Sequence, residues 1–346
     1  MIRVAINGYG RIGRIAHRVI LEHYRQEIEV VTINAGSSTD IKGWMYLLKY
    51  DTVYGSLPLE LSTTEKEKGD HQDVIGHLVV EGKTIPVLSQ KEPSKLPWKK
   101  FAVDVVIEAT GKFRKEEQLK EHIKAGAKAV VLSAPAKGEG ISTYVVSVNE
   151  ASYKGEKIIS NASCTTNCIA PVAKVMDEAF GIDKAMMTTV HGYTSDQRLQ
   201  DGGHKDYRRA RAANENIIPT STGATEAAAK ALPALKNKFG GLALRVPVPV
   251  GSLADFTFVL KKDTTVEAVN KALSDAAAEK PFEGILAVTK DPIVSSDVIG
   301  NSHSSIVDLS LTQVVGGNMV KVIAWYDNEY GYAHRLVEEV ILVASK

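Results

Sequence analysis

The sequence predicts an α/β protein of two domains. The first is a doubly wound, mostly parallel sheet, and the second an α+β domain with a mostly antiparallel sheet. Three observations lead there. Strand-like and helix-like segments alternate through the first half, which implies right-handed crossovers and parallel pairing. Gly8-Tyr9-Gly10-Arg11-Ile12-Gly13 sits where the first strand gives way to the first helix. Beyond Cys164 the strands lengthen and the crossovers thin out, which suggests antiparallel pairing with helices on one face. At 346 residues the chain also exceeds the usual size of a single core.

Ile2 to Asn7 reads as a buried strand and Arg11 to Tyr24 as the helix that follows. Ile28 to Asn34 is again β-branched and apolar. Ile41 to Lys49 reads as helix, Val103 to Ala109 as strand, Lys115 to Ala125 as helix and Ala129 to Ser133 as strand. Short runs with turn signals between Asp70 and Gln90 fit a hairpin inserted in this domain. In the second half, Thr165 to Phe180 predicts a helix and Ala185 to Tyr193 a strand. Thr194 to Thr220 has no clean period, and a stretch of that kind in a compact chain is usually functional. Gly241 to Pro249, Leu253 to Lys262, Ser305 to Gln313 and Met319 to Trp325 read as long strands, with an amphipathic helix over Val266 to Ala278. Tyr332 to Val343 reads as a last helix that returns to the first domain. The expected division is residues 1–163 with 328–346, and 164–327.

Apolar residues make up 44% of the chain and charged residues 24%, as in an ordinary globular protein. A net charge of +1 supplies no field that favours nucleic acid or an anionic membrane, so any preference for an anion must be local. No apolar run reaches the ~18 residues of a membrane span. The two cysteines, four residues apart, argue against a disulfide framework and for a reducing compartment. A strand pattern that begins at Ile2 leaves no room for a signal or transit peptide, so a cytoplasmic location is expected. No metal site is expected.

Gly8 permits a tight turn, Gly10 lets backbone approach a pyrophosphate, and Gly13 allows close helix–strand packing. The helix N-terminus then offers unpaired N–H groups to phosphate oxygens. The strand–turn–helix setting favours a Rossmann-type dinucleotide site over a plain flexible turn. Sites that select NAD place a carboxylate roughly 20 residues on, at the end of the second strand. Here that strand runs out through Asn34-Ala35-Gly36-Ser37-Ser38. Ala35 neither holds the ribose hydroxyls nor repels a 2′-phosphate, and Ser37 and Ser38 have hydroxyls to donate to one. Tolerance of NADP follows.

Cys164 lies among Ser163, Thr165 and Thr166, and not inside the apolar stretch usual for a structural cysteine. A helix that begins there favours the thiolate. His191, at the end of the run Met186 to Val190, is a candidate to hold that thiolate and then to accept a hydroxyl proton as hydride departs. A lone histidine more often has a structural role; the nearby thiol candidate tips the balance. Cys168, one helical turn onward, reads as packing.

Ser160-Asn161-Ala162-Ser163-Cys164-Thr165-Thr166-Asn167 resembles the active-site signature of phosphorylating glyceraldehyde-3-phosphate dehydrogenases. So do Asn7-Gly8-Tyr9-Gly10-Arg11-Ile12-Gly13-Arg14, Leu47-Leu48-Lys49-Tyr50-Asp51 and Arg208-Arg209-Ala210-Arg211-Ala212-Ala213. The likeness continues through Asn216 to Ala224, Leu244-Arg245-Val246-Pro247 and Trp325-Tyr326-Asp327-Asn328-Glu329, so these blocks span essentially the whole chain. The resemblance implies that Cys164 forms a thiohemiacetal and then a thioester, that inorganic phosphate attacks the thioester, and that His191 is base and then acid. It implies Thr194, Asp196 and Arg245 around the substrate phosphate. Around the attacking phosphate it implies Ser163, Thr165, Thr222, Gly223 and one arginine of the Arg208-Arg209 pair, taken as Arg209. Arginine suits phosphate because its paired donors match the anion. Arg211 reads instead as a solvated face or a subunit contact.

On the cofactor side the resemblance implicates Arg11, Ile12, Asn34, Thr110, Ser133 and Asn328 beside the three glycines, with Tyr332 near the nicotinamide ring. It also implies a homotetramer. NAD-selective members carry Asp where Ala35 stands, and Leu-Pro where Gly202-Gly203 precedes His204-Lys205-Asp206. Both departures resemble the branch that accepts NADP. Glu329-Tyr330-Gly331 departs from the usual Glu-Trp-Gly, an exchange with little expected effect. Three rivals bear weighing. Erythrose-4-phosphate dehydrogenase fits Thr194 and the phosphate residues less well. A thiol hydrolase needs no glycine cradle. A non-catalytic nucleotide- or RNA-binding role sits poorly with near-neutral charge and with an intact Cys164–His191 pair.

Overall fold

Val4, Ala5 and Ile6 are all fully buried in β1 (Ile2–Asn7), so both faces of this strand are covered, as a central strand of a parallel sheet requires. The structure, a computed structural model, describes residues 1–346. Their contacts divide them into two units: Met1–Thr143 with Tyr153–Ala162 and Ala333–Lys346, and Tyr144–Ser152 with Ser163–Tyr332.

In the first unit β1 leads through α1 (Arg11–Val19) to β2 (Ile28–Asn34) and α2 (Ile41–Lys49). A ribbon of β3 (Tyr50–Asp51) and β4 (Gly55–Ser56) forms its own small sheet. Then come β5 (Leu61–Thr64), β6 (Val74–Val80), β7 (Lys83–Leu88), β8 (Val105–Glu108), α3 (Glu116–Lys124), β9 (Ala129–Leu132), β10 (Ser142–Thr143) and β11 (Ile158–Ser160). The sheet order is β10-β11-β9-β8-β1-β2-β7-β6-β5. Pairing is parallel from β10 to β7, and β6 and β5 extend it antiparallel. Because β1 lies between β2 and β8, the strand order reverses there, and ligands of such sheets gather at the carboxyl ends of the strands at the reversal.

The second unit contains α4 (Cys164–Phe180), β12 (Ile182–Gly192), β13 (Ile218–Ser221), α5 (Ala224–Ala231), β14 (Phe239–Val246), β15 (Ser252–Leu260), α6 (Val266–Ala277), β16 (Leu286–Thr289), β17 (Ser305–Asp308), β18 (Gln313–Val315) and β19 (Met319–Tyr326). Its sheet runs β13-β14-β12-β15-β19-β17-β16, with β18 also on β19. Most pairs are antiparallel; β12–β14 and β16–β17 are parallel. Buried and half-buried positions alternate along β15, and Ala254, Phe256 and Phe258 point into a core shared with Ile169 of α4, Ala228 of α5 and Leu273 of α6. The fold class is thus the one that the sequence predicts. The last helix is α7 (Tyr330–Ala344). No helix is long and apolar enough to cross a membrane.

Several local expectations change. The helix expected over Arg11 to Tyr24 is α-helical only to Val19 and continues as a π-helix over Ile20–Tyr24. The strand expected over Ser305 to Gln313 breaks at Asp308, whose side chain accepts from Ser310 N and turns the chain through a 3-10 segment, Leu309–Leu311. α5 has no counterpart in the sequence reading, because its alanine-rich run carries no large apolar residues at helical spacing. The two units depart from the expected division at Ser163, Tyr144–Ser152 and Asn328–Tyr332, all of which group with the second unit. Lys174 Nζ donates to the carbonyls of Ser147 (3.1 Å) and Val148 (3.0 Å). Asp327 Oδ1 accepts from the N–H groups of Glu329 and Tyr330, each at 2.8 Å.

The packing of β15 gives a stability prediction. Phe256 is fully buried, with Phe258 and Phe239 stacked near it at ring-centroid distances of 5.2 and 6.3 Å. Phe256→Ala should destabilise the second unit by roughly 3–5 kcal/mol, the cost of the lost burial plus the cavity. Denaturant titration of its fluorescence or circular dichroism checks this.

Candidate active site

The glycine turn of the first unit is built as the sequence requires. Gly8 adopts φ +97°, and a Cβ there would lie 2.6 Å from Thr110 N. A Cβ on Gly13 would lie 2.1 Å from the Gly8 carbonyl oxygen, so only glycine lets α1 pack this close. Gly10 is the N-cap of α1, no side chain caps the helix, and a Cβ on Gly10 would meet nothing within 4 Å. The turn is tight below and open above, which fits a pyrophosphate on the helix N-terminus.

Around it the register of β1 with β2 and β8 lines up Asn7, Asn34 and Glu108 at one sheet edge. Asn34 Nδ2 donates to Asn7 Oδ1 (2.6 Å) and to the Gln90 carbonyl (2.8 Å), and Asn34 Oδ1 accepts from Gln90 N (3.0 Å). Its side chain is therefore spent on shaping the turn after β2. Ala35, Gly36 and Ser38 form that turn, closed by Ser38 N on the Ala35 carbonyl at 3.3 Å, and Ser37 stands exposed on it. Thr110 donates through both its N–H and its hydroxyl to Glu108 Oε1. Ser133 N donates to the Glu108 carbonyl at 3.0 Å. The Arg11 guanidinium pairs with Asp51 and lies over the Tyr54 ring, so what Arg11 offers the turn is backbone. Ile12 is half-buried in the first turn of α1.

Beneath these groups lies a network that the sequence reading missed. Glu108 is fully buried and accepts from Asn7 Nδ2 (2.5 Å) and His122 Nε2 (3.1 Å), while Trp98 Nε1 donates to His122 Nδ1 at 2.9 Å. The only signal was a carboxylate ending the apolar strand Val105-Val106-Ile107-Glu108.

In the second unit, Ser163 is the N-cap of α4: its Oγ accepts from Thr166 N at 3.1 Å, and Cys164 is the first helical residue. Cys164 Sγ lies 3.4 Å from His191 Nε2. His191 stands next to the end of β12, in register with Arg245 of parallel β14. Arg245 Nη1 reaches His191 Nδ1 (2.9 Å), the Gly192 carbonyl (3.1 Å) and Thr194 Oγ1 (3.3 Å). The Thr194 hydroxyl donates to Asp196 Oδ1, and Asp196 Oδ2 accepts from Arg209 Nη1 at 2.6 Å. Arg209 Nε donates to Thr220 Oγ1 at 3.0 Å, whereas Arg208 is exposed. One connected chain thus runs from the sulfur through both arginines.

Two further pieces complete the site. Thr166 Oγ1 donates to the Ala224 carbonyl at 3.3 Å, which ties the start of α4 to the start of α5. The α5 N-cap is Gly223, exposed and without a side-chain cap, next to Thr222, whose Oγ1 accepts from Ala224 N at 3.2 Å. Thr165 turns its hydroxyl to Tyr326 OH (2.9 Å), which also meets Thr189 Oγ1 at 2.8 Å. Tyr326 is fully buried and edge-on to the His191 ring. Asn328 Oδ1 accepts from Gly251 N (3.2 Å) and Ser252 Oγ (2.9 Å), which leaves its NH2 group to donate elsewhere. Tyr332 is buried. Cys168 is fully buried, and burial pushes its thiol up to about 12.

Burial pushes the Cys164 thiol up, and the Arg245 charge and hydrogen bonding around Thr165 offset that only in part. Burial, aided by Arg245, holds the His191 imidazole down at about 3. For Asp196 burial raises the carboxyl, but hydrogen bonds from Thr194 and Arg209 outweigh it and hold the group below the usual carboxylate range.

Comparison with known proteins agrees across the whole chain. Residues 2–116 match the family profile described as the glyceraldehyde 3-phosphate dehydrogenase NAD binding domain, and residues 163–328 match the C-terminal domain of the same family. Among curated relatives, the glyceraldehyde-3-phosphate dehydrogenases of Streptomyces coelicolor and Geobacillus stearothermophilus are each 50% identical to this chain. Glyceraldehyde-3-phosphate dehydrogenase 1 of Bacillus subtilis is 49% identical. Each alignment covers 100% of this chain and 99% of the relative.

The buried imidazole makes stability depend on pH. An unfolded His191 takes up a proton below pH 6.5, and the folded one refuses it until about 3. Its contribution is complete above pH 6.5 and is lost as pH falls through that window, with a slope of about 1.4 kcal/mol per pH unit. His191→Asn should remove one proton's worth of that slope, measured as the pH dependence of the denaturation midpoint.

Proposed function

The chain belongs to the glyceraldehyde-3-phosphate dehydrogenase family, oxidoreductases that use NAD or NADP, and from that premise we propose that it carries out the reversible phosphorylating oxidation of D-glyceraldehyde 3-phosphate to 1,3-bisphosphoglycerate. The observation that carries this reading is the Cys164–His191 contact of 3.4 Å beside two arginines.

His191 takes the thiol proton as Cys164 Sγ bonds to the aldehyde carbon and passes it to the former carbonyl oxygen, giving a thiohemiacetal and a free Nε2. His191 Nε2 then receives the proton of the thiohemiacetal hydroxyl as oxidation leaves a thioester. A nicotinamide nucleotide, when bound, would supply the hydride acceptor. An oxygen of inorganic phosphate attacks the thioester carbon, the C–S bond breaks, and the sulfur leaves as thiolate with the acyl phosphate as product. An anion subsite beside the sulfur would favour phosphate as the acyl acceptor.

In this reading Arg245, Thr194 and Asp196 hold the substrate phosphate. Ser163, Thr222, Gly223 and Arg209 hold the attacking one, together with the backbone of Thr165, since its hydroxyl is engaged by Tyr326. Two helix N-termini and a bidentate cation suit that anion. The NH2 group of Asn328 would hold the nicotinamide carboxamide, and Tyr332 would pack near the ring. The first unit binds the nucleotide and the second does the chemistry. Ala35, the open turn with Ser37, and Gly202-Gly203 support use of NADP at least as well as NAD. A homotetramer in the cytoplasm completes the reading, supported by two free cysteines and the long arginine-rich loop.

Replacing the nucleophile in Cys164→Ser should abolish turnover, and His191→Asn should lower kcat by about 10²–10⁴. Both are read from nicotinamide absorbance with phosphate present and absent. Ala35→Asp should move the ratio of kcat/KM values towards NAD by about tenfold or more, the factor that ~1.4 kcal/mol of charge repulsion represents. A wild type that strongly prefers NAD refutes the NADP reading.

A further inference from the structure

Glu108 ends the buried strand β8 with a fully buried carboxylate, and the one basic side chain within ion-pair distance is His122, at 3.1 Å. A carboxylate so placed needs hydrogen-bond donors. Four meet it: Asn7 Nδ2 and His122 Nε2 at Oε2, and the N–H and hydroxyl of Thr110 at Oε1. The direction of each bond is set from outside. Trp98 Nε1 only donates, so His122 Nδ1 accepts and the ring hydrogen stands on Nε2, facing Glu108. Gln90 N donates to Asn34 Oδ1, so Asn34 turns its NH2 to Asn7 Oδ1, and Asn7 turns its own to Glu108. Lys112 N donates to Thr110 Oγ1 at 3.1 Å, which leaves the hydroxyl hydrogen for Glu108. Every arm points a hydrogen at one carboxylate.

The arms reach the turns at the carboxyl ends of β1, β2 and β8, where the strand order reverses. Asn7 is the last residue before the glycine turn, and Gly8 N donates to the Asn34 carbonyl at 2.9 Å. Asn34 is the last residue before the turn Ala35-Gly36-Ser37-Ser38, and its Oδ1 also accepts from Gly36 N at 3.4 Å. Thr110 N is the atom that a Cβ on Gly8 would meet at 2.6 Å, so the Thr110 turn is the floor under the glycine turn. A displacement of Thr110 or Asn7 is therefore passed on to the backbone N–H groups that await a pyrophosphate. Glu108 itself, being fully buried, acts only through these neighbours.

We propose that Glu108 is a positioning residue for the dinucleotide: accepting at both oxygens, it holds the glycine turn and the ribose turn after Asn34 in one register. This rests on the nucleotide-binding part of the reading above and not on the aldehyde reaction. Glu108→Gln keeps the shape and breaks the pattern. The amide NH2 brings hydrogens into a ring of hydrogens, facing either Thr110 or Asn7 and His122, and the arm that it faces loses its acceptor. A network whose members all depend on one acceptor has no second arrangement to fall back on.

Calorimetry of the whole protein with ADP-ribose, which carries the pyrophosphate and the adenosine ribose but no nicotinamide, tests this. Glu108→Gln should weaken ADP-ribose about tenfold or more and raise KM for the nucleotide by a like factor, with kcat at saturating nucleotide within about twofold of wild type. Leu78→Ala opens a cavity in β6, beyond β7 in the same sheet. It should lower the melting point and leave the ADP-ribose affinity as it was. Wild-type affinity in a folded Glu108→Gln overturns the proposal. So does an equal loss in Leu78→Ala, which would make the effect one of stability alone. Should Glu108→Gln not fold, Asn7→Ser, which cuts the arm to Asn34, decides in its place: weaker ADP-ribose binding supports the proposal and unchanged binding overturns it. A wild type that binds no ADP-ribose overturns the nucleotide site and this role together. A protein inert towards the aldehyde whose ADP-ribose affinities follow the expected order counts against the proposed reaction and for Glu108.

Discussion

His191 stands opposite Arg245 because β12 and β14 run parallel and in register from Ala185 with Phe239 to Gly192 with Val246. That pairing is held from the other side by antiparallel β15, whose buried Ala254, Phe256 and Phe258 lock the face of the sheet. A slip of one residue would carry every side chain of β12 to the opposite face and take the imidazole away from the sulfur. The chemistry of the site therefore depends on apolar side chains that take no part in it. Cys164, for its part, is set by the cap at Ser163, which fixes where α4 begins and so which residue is first in the helix.

Much of this was legible in the chain. The glycine turn can be read because it uses residues whose absence of Cβ is the point: at Gly8 and Gly13 a side chain has nowhere to go. Cys164 can be read because a thiol among hydroxyls at a strand–helix boundary is out of place as packing. The strands could be read for a similar reason, since β1 is buried on both faces and β15 on one. The family motifs added what spacing cannot give, namely which of several arginines belong together.

What stayed hidden depends on contacts distant in sequence. Nothing local in Tyr326 says that its hydroxyl will bridge Thr165 and Thr189. Glu108, Asn7 and His122 come together only through the order of β1, β8 and α3. What opposes a thiolate at Cys164 is hidden for the same reason. A helix N-terminus is visible in sequence, but the burial that opposes it is a property of the assembled unit. α5 escaped because small side chains leave little hydrophobic pattern.

The bond from Thr166 to the Ala224 carbonyl has a consequence beyond catalysis. It clamps together the starts of two helices, each the positive end of its dipole, and Arg209 donates to the Ser221 carbonyl just before the second. Like poles held side by side repel, and the phosphates of the proposed reaction would ease that repulsion. Because a ligand that binds only the folded form adds to its stability by mass action, the melting point becomes a function of the buffer. Sulfate or phosphate in storage would preserve the protein while competing with what it is meant to bind.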